Sequence, residues 1–136
     1  MTNKKPIFAL AVLGFFASSS YATALNADDT IQCAIMEAVS CQYRMGCETG
    51  GADMVNLPDF VTINIPEGEV TGKRPDGGDL ATPIERVETL EGLTIIQGGE
   101  EGVGWTILVD EETGHMTVSG SRGDEGLIIF GACIQE

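Results

Sequence analysis

The sequence predicts an all-β domain: a small antiparallel meander of about eight short strands, closed into a barrel or barrel-like sandwich, with two disulfides. Apolar and polar residues alternate over several short runs, which is typical of strands that bury one face. Glycine-containing turn segments separate these runs, and no stretch has the periodicity of an amphipathic helix. Because exposed strand edges invite aggregation, we expect the sheet to close on itself.

In the first half of the chain, we predict strands at residues 31–42, 59–65 and 69–73. The first two have apolar residues at alternate positions, and the third follows a turn and leads the chain back. Part of the first run, 34–39, also fits a helical turn. Glycines and prolines predict a loop over 43–58 and a second, more mobile loop over 74–83.

The second half contains five further predicted strands, at residues 84–90, 93–97, 103–110, 115–121 and 127–134. Glu91-Gly92 separates the first two of these and is predicted to form a two-residue hairpin turn. The expected core consists of inward apolar positions on the strands: Val61, Ile63, Trp105, Ile107, Val109 and Phe130.

The N-terminus has the three parts of a secretory signal peptide. Lys4 and Lys5 precede an apolar run over 7–17, and the small-residue sequence Ala22-Thr23-Ala24 follows. The run is shorter than the roughly 20 residues that a membrane-spanning helix needs. We therefore expect residues 1–24 to be removed, with cleavage after Ala22 as the alternative. A single domain, 25–136, would remain, located in the periplasm or secreted.

The mature chain is strongly acidic. The sequence has seven basic and 21 acidic residues, and two of the basic ones, Lys4 and Lys5, leave with the signal peptide, so the formal charge becomes −16. Such a surface repels nucleic acid and anionic lipid and favours a basic protein partner. The alternative explanation is that the charge only keeps the protein soluble and needs no partner. We expect no membrane insertion after cleavage of the signal peptide.

Four cysteines in an exported chain predict two disulfides. We pair Cys41 with Cys47 because they are close in sequence and flank a loop, and this leaves Cys33 to join Cys133 and tie the first strand to the last. Four cysteines allow three connectivities, so the other two stay open. Their spacing contains no C-x-x-C pair, which argues against a zinc site.

The cysteines and the turn glycines, together with the segments around the aromatic residues, resemble a family of uncharacterised exported, periplasmic proteins of proteobacteria, small and cysteine-containing. The residues that carry the resemblance are Cys33, Cys41, Gly46-Cys47, 57–64, 93–102, 104–110, 112–117 and 130–133. The resemblance implies the compartment and the disulfides, and it carries over no activity and no site residues.

No catalytic, cofactor or metal site is predicted. His115 is the single histidine and follows a turn, where we expect its side chain to be exposed to solvent. The cysteines are assigned to disulfides, so none is left as a free nucleophile. Among 21 acidic residues, two carboxylates at the spacing of a glycosidase pair are expected by chance, so such a pair does not predict a glycosidase. The acids at Asp76 and Asp79, and those over 110–112, do not match a calcium-binding loop.

We therefore expect a non-enzymatic binding or interaction module of the cell envelope, inhibitor-like in character, with a basic envelope protein as its partner. The alternative is a lipocalin-like carrier of a small apolar ligand. The interior of the barrel distinguishes the two, because a filled barrel favours the interaction module and an apolar cavity favours the carrier.

Overall fold

The computed structural model describes residues 14, 25–26 and 28–135. Apart from Gly14, the predicted signal peptide 1–24 lies outside the described residues, and its removal stays a prediction. The described part of the chain is all-β, as predicted. Its strands are β1 (Thr30–Gln42), β2 (Gly46–Gly50), β3 (Phe60–Asn64), β4 (Glu69–Lys73), β5 (Asp79–Leu90), β6 (Leu93–Glu100), β7 (Val103–Asp110), β8 (His115–Arg122) and β9 (Glu125–Gln135).

The strands form a closed antiparallel barrel. From β3 to β9 each strand pairs with the next, and β1 pairs with both β3 and β9. The barrel therefore has eight strands, β1 and β3–β9. The thirteen-residue β1 is long enough to pair with β3 along its first half and with β2 along its second half.

Both predicted disulfides are confirmed. Cys33 and Cys133 are directly opposite each other where β1 meets β9, and their side chains are buried inside the barrel. This disulfide joins the two strands that close the barrel. Cys41 and Cys47 are opposite each other on β1 and β2.

Two-residue turns join several of the strands. The predicted Glu91-Gly92 turn is confirmed, with φ angles of 50° and 81°, and Glu101-Gly102 repeats the conformation with 50° and 83°. Positive φ at both central residues is the geometry of the type I′ turn, whose twist matches that of paired strands. Glycine at the second position adopts this conformation without strain.

The two predicted loops are shorter than expected. Within 43–58, residues 46–50 form β2, and a 3₁₀ helix follows at Ala52–Val55. β2 forms because β1 extends beyond the end of β3 and offers an unpaired edge there, with which β2 pairs. The glycine-rich sequence of β2 does not reveal this. Within 74–83, only 74–78 is a loop, because residues from Asp79 onward pair with β4.

Four of the predicted core residues, Val61, Ile63, Ile107 and Val109, are buried. Phe130 is not: 46% of its surface is exposed, and the expectation that it lies in the core is wrong. Side chains alternate between the two faces of a strand. On β9, Ile129 and Cys133 point into the barrel, and Phe130 therefore points outward. In the part of the chain that the structure describes, no helix has the length and apolar character to cross a membrane.

Candidate functional site

The two ends of the barrel are built differently. The 111–114 turn lies at the same end as the chain segment before β1. There Leu25 packs into the core, and its backbone N–H donates to the carbonyl oxygen of Glu111 at 3.0 Å. Gln135 accepts a hydrogen bond from the backbone N–H of Asn26 at 2.8 Å. Leu25 and Asn26 therefore cover this end beside the 111–114 turn.

The opposite end contains a cavity of about 470 Å³. It is bordered by the 3₁₀ helix, the 74–78 loop and the turns that follow β6 and β8. Most of its wall is aliphatic, with side chains from the barrel strands and the 3₁₀ segment: Ile35, Val55, Leu57, Val61, Val70, Leu80, Val103, Ile107, Met116, Val118, Leu127 and Ile129. A second depression, of about 530 Å³, lies beside the β8–β9 turn and is more open to solvent than the cavity.

The sizes of the inward residues explain why one half is filled and the other hollow. The closed half contains fully buried branched side chains such as Ile31, Ile63 and Ile96. In the cavity wall, by contrast, Ser40 and Gly120 occupy positions beside Leu127 on the neighbouring strand β9. Small residues leave volume that neighbouring side chains do not fill, so the cavity is a consequence of the residues at these positions.

Trp105 lines the cavity and is half-buried, packed against the edge of the core. On its two neighbouring strands it is opposite Gly98 and Gly120. A Cβ atom at Gly98 would overlap the indole ring, so the glycine allows the ring to lie against β6. The indole Nε1–H donates to Thr82 Oγ1 at 3.1 Å. These contacts hold the ring in the cavity wall.

Charged residues surround the opening: Arg74, Glu100, Glu101, Arg122 and Glu125. Arg74 is half-buried, and its guanidinium donates to the carbonyl oxygen of Asn56 at 2.8 Å. The other four are exposed. The opening thus combines an apolar interior with a rim that carries both signs of charge.

Two aspartates in turns have pKa values below their usual range. For Asp76 the main cause is the hydrogen bond from the backbone N–H of Gly78, followed by one from Asn56, and the charge of Arg74 contributes less. For Asp110 the main cause is the backbone N–H of Thr113. Hydrogen bonds to the charged form favour ionisation. Both carboxylates are thus engaged in holding their turns.

The acidic residues considered for calcium in the sequence lie in or beside turns: Asp76, Asp79 and those over 110–112. Among the described residues, no group of three or more His, Cys, Asp or Glu side chains is arranged to hold an ion. Asp79 forms an ion pair with Lys73 instead. His115, the candidate base considered in the sequence, is exposed on β8 and is opposite Ala132 on β9. It is not among the residues that line the cavity.

The chain matches no protein-family model, and no curated protein is similar to it. Sequence reasoning assigned Trp105 to the core and did not find the cavity. The signal that would have pointed to it is the pair of small residues Ser40 and Gly120, which lie beside Leu127 on the neighbouring strand.

Proposed function

We propose that the protein binds a small apolar ligand in the open half of its barrel and acts as a carrier or binding protein without catalysing a reaction. One observation carries this proposal: the cavity of about 470 Å³ with its aliphatic wall. Ligand sites in proteins are concave and mostly apolar, with volumes of roughly 300–1,000 Å³. The sequence alone favoured an interaction module, and a hollow interior favours the carrier that stood as its alternative.

The compartment is part of the same proposal. Disulfides persist in oxidising environments and are rare in the cytosol. The two disulfides of this chain, together with the signal-like segment at its N-terminus, support a periplasmic or secreted protein. A carrier in that compartment would move poorly soluble molecules through an aqueous space.

Trp105 provides a direct test, because it is the single tryptophan of the chain and lies in the cavity wall. We expect lauryl alcohol, an uncharged apolar probe, to shift the tryptophan emission to shorter wavelength and to saturate at one molecule per chain. The physical reason is that the probe replaces water around the indole. Calorimetric titration gives an independent measure of the same binding.

The titration also has a result that would contradict the proposal. If neither lauryl alcohol nor laurate produces a saturable signal in fluorescence or calorimetry, the cavity does not serve a ligand of this kind. Denatured protein is the control for non-specific partitioning, because the unfolded chain has no cavity and is expected to give no saturation.

A second candidate is an interaction module that recognises a basic envelope protein. It is supported by the acidic turns at the open end, where Glu100, Glu101, Asp124 and Glu125 are exposed. Charges of one sign steer an oppositely charged partner and are screened by salt. We expect any protein captured from the native envelope at low salt to be basic and to be released at high salt. Capture of an acidic, salt-insensitive partner would contradict this.

A further inference from the structure

The basic side chains of the described domain are few, and most of them have identifiable partners. Lys73 pairs with Asp79, and Arg86 pairs with Glu88, both on the outer surface. Arg44 lies over the ring of Tyr43. The remaining two are Arg74 and Arg122, and both line the cavity. Within residues 28–135, neither of them forms an ion pair with a carboxylate.

From this arrangement we propose that the ligand is a single-chain amphiphile with a carboxylate head group, whose alkyl chain fills the cavity and whose head contacts Arg74 at the opening. The inference rests on the proposed function, since it needs the cavity to bind an apolar chain. The guanidinium of Arg74 uses one N–H group on the carbonyl oxygen of Asn56 and has further donors for a carboxylate. Arg122 lies at the same rim, but it is exposed and opposite Glu125 on β9, so we expect it to contribute less than Arg74.

The acidic residues at the rim do not remove this preference. Glu100, Glu101 and Glu125 are exposed, so their carboxylates are hydrated and can turn away from the opening. Asp76, on the same loop as Arg74, already accepts hydrogen bonds from Gly78 at 2.8 Å and from Asn56 at 3.0 Å. The guanidinium of Arg74, in contrast, is held beside the opening by its hydrogen bond to the carbonyl oxygen of Asn56, so its donors stay where a head group would lie.

The dimensions of the wall fit an alkyl chain of medium length. β8 contributes the lining from Met116 to Arg122, which is roughly 20 Å of strand at about 3.3 Å per residue. Barrel strands are tilted by roughly 40°, so this length corresponds to roughly 15 Å along the barrel axis. A medium-chain fatty acid fills such a depth with its carboxylate at the level of the arginines.

The test compares three probes with the same alkyl chain: laurate, lauryl alcohol and laurylamine in its protonated form, each titrated at neutral pH. A hydrogen bond to a charged group is worth enough to raise affinity roughly ten- to a hundredfold. We expect laurate to bind more tightly than the alcohol by a factor in this range, and the ammonium probe to bind most weakly.

Variants assign the preference to a residue. Arg74→Gln is expected to remove most of the advantage of laurate over lauryl alcohol while leaving the alcohol affinity unchanged, and Arg122→Gln to reduce it in part. Arg86→Gln is the matched control, because it removes the same charge from the outer surface, and it is expected to leave both affinities unchanged. Binding of the alcohol also verifies that each variant is folded.

The outcomes separate this inference from the function on which it rests. If the alcohol or the ammonium probe binds as tightly as laurate, or if Arg86→Gln lowers the preference as much as Arg74→Gln, the head-group inference is overturned and the carrier function stands. If none of the three probes binds to the native protein, both are overturned.

Discussion

Replacing Val118 by phenylalanine is expected to lower the affinity for laurate and for lauryl alcohol by more than tenfold. Val118 lines the cavity between Ile107 on β7 and Ile129 on β9, so a larger side chain at this position occupies the space that the alkyl chain needs. Because the added atoms enter an open cavity, we expect the free energy of unfolding to change by less than about 1 kcal/mol, below the usual cost of overpacking a filled core.

Ser119→Phe is the matched control for this variant. Ser119 is the next residue on β8 and is exposed, with its side chain on the outer face of the barrel. The same phenylalanine there is expected to leave ligand affinity unchanged. Fluorescence titration and urea unfolding of both variants provide the comparison. Equal loss of binding in the two would show that the ligand does not occupy the barrel interior.

Removing the disulfide between Cys33 and Cys133 is expected to destabilise the protein far more than removing the one between Cys41 and Cys47. The first closes a loop with a sequence separation of 100 residues and the second a loop with a separation of 6. The chain-entropy estimate is about 4.7 kcal/mol for the long loop and about 2.4 kcal/mol for the short one. The buried position of Cys33–Cys133 adds lost packing to the difference.

Two double variants measure this effect, Cys33→Ala with Cys133→Ala and Cys41→Ala with Cys47→Ala. Denaturant unfolding without reducing agent gives the free energy of unfolding of each, with the wild type as reference. If the Cys41/Cys47 variant loses as much free energy of unfolding as the Cys33/Cys133 variant, the bond between β1 and β9 does not govern the stability of the barrel.

The strands and turns were predictable because their signals are local. Alternation along Val103–Asp110 defines β7, and Glu91-Gly92 specifies a turn through the backbone conformation that it adopts. The pairing of Cys33 with Cys133 was predicted because Cys41 and Cys47 are close in sequence, which leaves the other two cysteines to join the first strand to the last. The same pairing could have corrected the prediction that Phe130 lies in the core. Cys133 points inward, so Phe130, three residues earlier on the same strand, has to point outward.

The cavity and β2 were not predictable in the same way, because they depend on the assembled barrel. Whether inward residues fill the interior is decided by the sizes of side chains that meet from different strands, such as Ser40, Gly120 and Leu127. No window of sequence contains that information. β2 is a strand because the end of β1 provides a free edge beside it, and the sequence of β2 itself lacks alternation.

The pairing of β1 with β9 also has a consequence for the order of events during synthesis. β1 is the first strand to be made, and its partner β9 is the last, so the ring cannot be completed before nearly the whole chain is available. Contacts between residues so distant in sequence carry a large loop-closure entropy and slow folding, to milliseconds or seconds in β-rich domains. During that time both edges of the growing sheet are unpaired, which exposes the chain to partners that add a strand to a free edge.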